Sequence, residues 1–247
     1  MRWRERDGVR WLEAVLPGAT AAFTARVGGV SEGPFATLNL GVLTGDEEAS
    51  VRENRRRAAG ALGIDPEAVL IGRQVHGAEV LRRDAPPRPN PYATSAGPPP
   101  EVDGQATARR GAVPLVLVAD CLPMALAGPN GVAMVHCGWR GLAAGIVERG
   151  VEGVSASAAA IGPGIGRCCY EVGDEVLERF EALGEGLSDG GKLDLVEVAR
   201  RLLERAGIDE IEVSGLCTSC EAELFFSHRR DAGRTGRQAG FAWIDDG

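Results

Sequence analysis

At 247 residues, 44% of them hydrophobic and 25% charged, the chain can bury a large core without disulfide staples. Its formal net charge of −8 excludes a generic nucleic-acid binder, which needs an extended basic surface. No apolar run reaches the roughly 18 residues that cross a bilayer, so no membrane partner is expected.

Residues 1–25 read as strands that turn at Pro17-Gly18, and their lack of a continuous apolar h-region predicts a cytoplasmic address. Residues 26–34 form a Gly-rich loop. Residues 46–62 predict a helix: acidic residues lead, arginines follow and Gly63 ends it. Its Arg55-Arg56-Arg57 run reads as a solvated face. Short strands at 69–71 and 79–81 flank the polar break Arg73-Gln74-Val75-His76-Gly77. Seven prolines within residues 86–100 predict a mobile surface excursion without regular structure. Residues 101–107 lead back to the core.

Residues 113–142, VPLVLVADCLPMALAGPNGVAMVHCGWRGL, organise the rest. Two apolar runs, 113–119 and 132–137, read as buried strands. Gly128-Pro129-Asn130-Gly131 is turn chemistry after the 122–127 segment. A hairpin closed there sets Pro123 opposite His136 and Cys121 opposite Gly138. Cys121 and His136 then share a face, and Cys137 takes the other. Pro123 predicts a bulge or an edge strand. A thiol and an imidazole placed this way suit half a metal site, a Cys/His nucleophile pair, or a buried thiol beside a satisfied histidine. Only three histidines exist, at 76, 136 and 228, which singles out His76 as well.

Residues 142–151 have helical spacing, with Arg140 near the N-terminus, where it suits an anion or a neighbouring acid. A strand at 158–161 runs into Gly162-Pro163-Gly164-Ile165-Gly166, a partial backbone anion cradle. Residues 170–184 and 193–206 read as helices, and 211–214 and 241–244 as strands. Arg229, Arg230, Arg234 and Arg237 either cover an anionic substrate or make a basic surface loop. The six cysteines read as thiols or ligands. Cys217-x-x-Cys220 is half a zinc site, a redox pair or a local thiol pair, with no second C-x-x-C to complete it. Helices alternating with many short strands predict a mixed α/β, or α+β, layered sandwich with hairpins.

GRQVHG, ADCLP, HCGWRGL, IGPGIGRCCYEVG and FFSHRRDAGRTGRQ occur in that order, after TARVGGVSEGPFATLNLG. Together they resemble the laccase-domain family, once called polyphenol oxidase. That family is now associated with zinc-dependent purine nucleoside phosphorylase activity and with peptidoglycan editing. The resemblance implies one sandwich-like domain over residues 1–247, with the Pro-rich loop at 86–100. It implies a zinc held by His76, Cys121 and His136; three protein ligands leave a fourth position for water, as in catalytic sites. Arg26 and Asn39 would face the cleft, and Arg26 and Arg140 would hold phosphate. Gln74 or Asp120 would shuttle protons or orient ligands, so Asp120 joins Cys121, His76 and His136 as a catalytic candidate. The expected substrates are a purine nucleoside (inosine, adenosine or a 5′-methylthio analogue) and phosphate, with adenosine deamination as a second activity. Monomer and dimer are both compatible.

Two alternatives stand beside this reading. The same donors suit a mononuclear copper polyphenol oxidoreductase with Met124 or Met134 as axial ligand. A multicopper oxidase needs far more imidazoles than three. A hydrolase editing peptidoglycan precursors would use Cys121 as nucleophile, His136 or His76 as base and Asp120 as orienting group. Cys137 departs from the Ala usual in the family, and is expected to make the site more oxidation-prone.

Overall fold

Side-chain alternation along the strands decides the layers. The computed structural model describes residues 1–94 and 98–245. Its strands are β1 (Arg2–Arg6), β2 (Val9–Leu16), β3 (Ala19–Thr24), β4 (Val69–Ile71), β5 (Val80–Arg82), β6 (Gly104–Thr107), β7 (Val113–Val118), β8 (Leu122–Gly128), β9 (Gly131–Cys137), β10 (Ala158–Ile161), β11 (Ser188–Asp189), β12 (Lys192–Leu193), β13 (Glu210–Val213) and β14 (Gln238–Ile244). The helices are α1 (Glu48–Leu62), α2 (Pro91–Thr94), α3 (Trp139–Ala143), α4 (Ile146–Val154), α5 (Asp174–Leu177) and α6 (Leu195–Arg205).

Two mixed sheets of six strands carry the fold, in the orders β1-β2-β3-β14-β7-β4 and β13-β10-β8-β9-β6-β5. The layer between them is rich in alanine: Ala14, Ala21, Ala125, Ala127, Ala158, Ala160 and Ala242 pack with Phe23, Val132 and Met134. Small side chains let the sheets approach closely. The outer face of the first sheet packs on α1 through Leu115, Phe241, Ala58 and Ala59. The outer face of the second packs on α4 and α6 through Leu126, Val135, Val147 and Leu203. The result is the expected α+β sandwich, in the order helix, sheet, sheet, helix.

Several local expectations are corrected. Arg55 is buried rather than solvated: its guanidinium lies over the Tyr92 ring and donates to the carbonyls of Leu40, Pro91 and Tyr92. The Pro-rich excursion is anchored, because Asn90 and Tyr92 are buried and α2 forms between them and Thr94. Residues 95–97 of that excursion lie outside the described residues. Pro123 is on neither an edge strand nor a bulge; β8 pairs on both sides in continuous register. It is tolerated as the second residue of the strand, near where the ladder begins. The 142–151 helix is broken, since Gly145 adopts a left-handed φ of 88° between α3 and α4. Residues 170–173 are not helical; α5 begins at Asp174 and runs into a 3-10 turn.

Candidate metal centre

The hairpin forms in the predicted register: Leu122 pairs with Cys137, Pro123 with His136, and Gly128 with Gly131. His136 follows Met134 on the inter-sheet face of β9 and emerges at the end of that layer. Cys121 sits just before β8, on the same side. Cys137 points into the opposite core, fully buried. His76 reaches the pair from the loop between β4 and β5. The donor atoms of His76, Cys121 and His136 all lie within 4.8 Å of one another, and no fourth His, Cys, Asp or Glu donor joins them among the described residues. The two imidazole centroids are 5.0 Å apart, at 67°. A Cβ on Gly138 would come 2.9 Å from the Cys121 Sγ and 3.4 Å from the His76 Cδ2, so only glycine leaves the donors room to converge.

The residue that builds the centre was not singled out in the sequence. Asp103, with no exposed surface, accepts from the backbone N–H groups of Val75, His76 and Gly77 at 3.1, 2.9 and 2.7 Å. It also bonds the His136 Nδ1 at 2.8 Å. One carboxylate thus fixes the His76 loop, where His76 has a left-handed φ of 61°, and orients His136 with Nε2 toward Cys121. Burial alone would raise the Asp103 pKa, but His136 and these amides hold it below the ordinary value. Nothing local marks Asp103, one of two acids just ahead of the short strand Gly104–Thr107.

The electrostatics suit a cation. Burial opposes a Cys121 thiolate, yet the charge and hydrogen bonds of His136 and His76 bring the thiol down to about 6. Burial also opposes a charged His136, but Cys121 and Asp103 raise it to about 9. The two shifts favour the thiolate and the imidazolium together. A divalent ion replaces that proton, so the three residues can hold a metal ion.

The other sequence candidates divide. Gln74 pairs its amide with the backbone of Leu117, accepting at 2.8 Å and donating at 2.7 Å, and so braces the His76 loop. Asn39 is buried. Its amide donates to Gly41, Thr44 and Asp46, and its oxygen accepts from Gly41 and from the Arg237 backbone. Arg26 lies over Phe226 and donates to the carbonyls of Ala36 and Ala222. Neither side chain has the free cleft-facing role the resemblance implies.

Asp120, at a left-handed φ of 89°, accepts from the Thr218 hydroxyl and the Arg229 N–H, both at 2.7 Å. With both oxygens occupied it positions neighbouring segments. Arg140 stacks on Trp139 and is exposed. Tyr170 lies near Cys121, Arg229 and Arg140. Its hydroxyl is pushed up to about 12, by burial first and then by the Cys121 charge. Arg237 is half-buried; burial lowers its pKa, while Cys121 and Asp120 favour its charge. Arg230 instead pairs with Asp231 and donates to the Thr218 and Phe225 carbonyls.

Three further expectations fail. The glycine-rich 162–166 segment is no anion cradle, because the N–H groups of Gly162, Ile165 and Gly166 already donate to Pro123, Asp120 and Cys217. Met124 packs in the helix-facing core, and Met134 packs against Gly240 between the sheets. Cys137 is shielded from oxidants, with burial driving its thiol pKa well up. Two surface depressions, one beside Pro17 and Asn130 and one beside Arg82 and Arg149, contain none of the three metal donors.

Residues 20–245 match a family model described as multi-copper polyphenol oxidoreductase laccase. The chain is 39% identical over 261 residues to the purine nucleoside phosphorylase YlmD of Geobacillus stearothermophilus, covering 96% of this chain and 95% of that one. It is 42% identical to a purine nucleoside phosphorylase of Deinococcus radiodurans, covering 93% and 91%. The crystal structure of the Geobacillus YlmD superposes with a TM-score of 0.88 at 38% identity, covering 98% of each chain.

Proposed function

The chain belongs to the multi-copper polyphenol oxidoreductase laccase family, and from that premise we propose that it is a zinc-dependent purine nucleoside phosphorylase. It would convert inosine, adenosine or a 5′-methylthio analogue and phosphate to the free base and ribose 1-phosphate. The carrying observation is the three-donor centre of His76, Cys121 and His136, with Arg237 near enough to Cys121 to feel its charge and Arg229 over the ring of Tyr170. The family description implies copper, but of the three histidines only His76 and His136 belong to the centre. That donor count fits one ion and not a multicopper array.

His76, Cys121 and His136 would hold the zinc, which supplies Lewis-acid polarisation and charge stabilisation when bound. Arg140 and Arg229 bind phosphate oxygens and turn one toward the anomeric carbon. As that oxygen bonds to C1′, the C1′–N9 bond breaks and its electron pair leaves with the purine, which takes up, by way of solvent, the proton that the hydrogenphosphate gives up. Tyr170 stays protonated at neutral pH and donates a hydrogen bond. Asp120 and Asn39 act as positioning residues, through the Arg229 and Arg237 backbones. Adenosine deamination remains a second activity to assay.

Metal analysis of purified protein, paired with an inosine-plus-phosphate assay, tests this reading. It expects zinc, phosphate-dependent hypoxanthine release and loss of both turnover and the centre's zinc in Cys121→Ser. Copper with phenol oxidation would make the protein an oxidoreductase. A metal-free protein inactivated by alkylation at Cys121 would make it a thiol hydrolase.

A further inference from the structure

Cys217-x-x-Cys220 lacks a partner C-x-x-C in the sequence, but the fold supplies two thiols from elsewhere. The vicinal pair Cys168-Cys169 meets it, and the four sulfurs all lie within 4.8 Å of one another. The Cys168 and Cys169 Sγ atoms are each 3.5 Å from the Cys220 Sγ. Zinc–sulfur bonds of about 2.3 Å arranged tetrahedrally place sulfurs about 3.8 Å apart. Four thiols spaced this way match the shell of one ion. Contacts of 3.5 Å are too long for a disulfide, whose bond is about 2.05 Å.

The backbone around the thiols is shaped for the same end. The Gly166 N–H donates to the Cys217 Sγ at 3.2 Å. Amides aimed at the first sulfur of a C-x-x-C turn stabilise its anionic form, the form a metal binds. A Cβ on Gly166 would come 3.3 Å from the Cys168 Sγ and 3.2 Å from the Cys217 Cβ, so the cluster needs a glycine there to close.

We propose that Cys168, Cys169, Cys217 and Cys220 form a second metal site, a closed tetrathiolate that binds one zinc ion and pins two active-site loops together. Loading takes one Zn²⁺ and releases the protons of whichever thiols are neutral, with no change of oxidation state. Four sulfurs fill the tetrahedron and leave no position for substrate, so this site is structural. Both of its segments attach to Asp120, the neighbour of Cys121. The Ile165 N–H donates to the Asp120 carbonyl at 2.8 Å, and the Thr218 hydroxyl to its carboxylate at 2.7 Å. Tyr170, next to Cys169, lies close enough to Cys121 to feel its charge. The thiol cluster therefore holds the wall of the first centre without touching substrate.

The test counts zinc in reduced protein purified with zinc supplied. Wild type is expected to hold about two zinc ions per chain, and Cys217→Ser/Cys220→Ser about one. Where that double variant does not purify, His76→Ala/His136→Ala gives a second arm. It is expected to keep about one zinc and, on exchange into cobalt(II), to show the charge-transfer and visible bands of a tetrahedral tetrathiolate. A zinc count that does not fall from wild type to Cys217→Ser/Cys220→Ser, or a His76→Ala/His136→Ala protein without zinc or the tetrathiolate spectrum, overturns the proposal. So do disulfides among these cysteines in the reduced protein, or iron in place of zinc. Phosphorylase activity enters neither arm, so failure of the proposed reaction would leave this site standing.

Discussion

His76, Cys121 and His136 converge because a paired hairpin and a carboxylate-braced loop aim them at one point. Cys168, Cys169, Cys217 and Cys220 converge because two turns pack together. The first set mixes two imidazoles with one thiolate and has a neighbourhood of arginines. The second is all sulfur and is tied down by backbone amides. Three donors brought together by a hairpin and a loop would leave a coordination position open for chemistry. Four thiols from two turns would instead fill an ion's coordination sphere. The difference teaches that cysteine count alone does not separate an open donor set from a closed one; the donors that each thiol meets do.

The sharpest way to break this contrast is Cys121→Ser. It should lower kcat by about 10³-fold or more, the scale of losing several kcal/mol of Lewis-acid stabilisation. Zinc analysis should show the thiol-cluster ion retained. Loss of both ions would mean that the two sites are not independent. Asp103→Asn should follow, since it removes the brace on the His76 loop and on the His136 ring. A chelator competition should find zinc at the mixed centre held about 10–100-fold more weakly, with the four-sulfur site unchanged.

Gly138→Ala should be milder. Its methyl would press on Cys121 and His76, at a strain cost of about 1–3 kcal/mol, read as weaker zinc retention and a lower Tm. Unchanged zinc retention would show that the donors have slack.

Glu197→Gln on α6 is the smallest change and serves as a control remote from both clusters. Hydrogen bonds from Arg200, and then from Arg201, outweigh burial and hold this carboxyl down to about 2. A depressed carboxyl stabilises the fold above its unfolded value, and that contribution is lost as pH falls toward 2. Acid melting curves should therefore be shallower in Glu197→Gln, by no more than about 1 kcal/mol because the ion pair is partly solvated. Zinc content and turnover at neutral pH should not move.

Much of the fold and half of the first centre were legible in the residues themselves. Alternation and the Gly128-Pro129-Asn130-Gly131 turn are local, so they determined the β8–β9 register, put Cys121 beside His136 and sent Cys137 the other way. Gly63 likewise marked the end of α1 by a left-handed cap that needs no distant partner. His76 was legible through scarcity and motif resemblance rather than geometry. Tertiary structure alone decided the contacts that join remote segments. Asp103 and His136 lie 33 residues apart and meet only because β6 pairs with β9. Cys168 and Cys220, 52 apart, meet only because the 164–170 segment docks beside residues 217–220. Arg55 looked solvated because charge is read from composition, whereas its burial depends on the Tyr92 ring and on three carbonyls from two other segments. Local patterning sets which way a side chain points along its own element. Which groups it then faces depends on how elements far apart in the chain pack, and no local period encodes that.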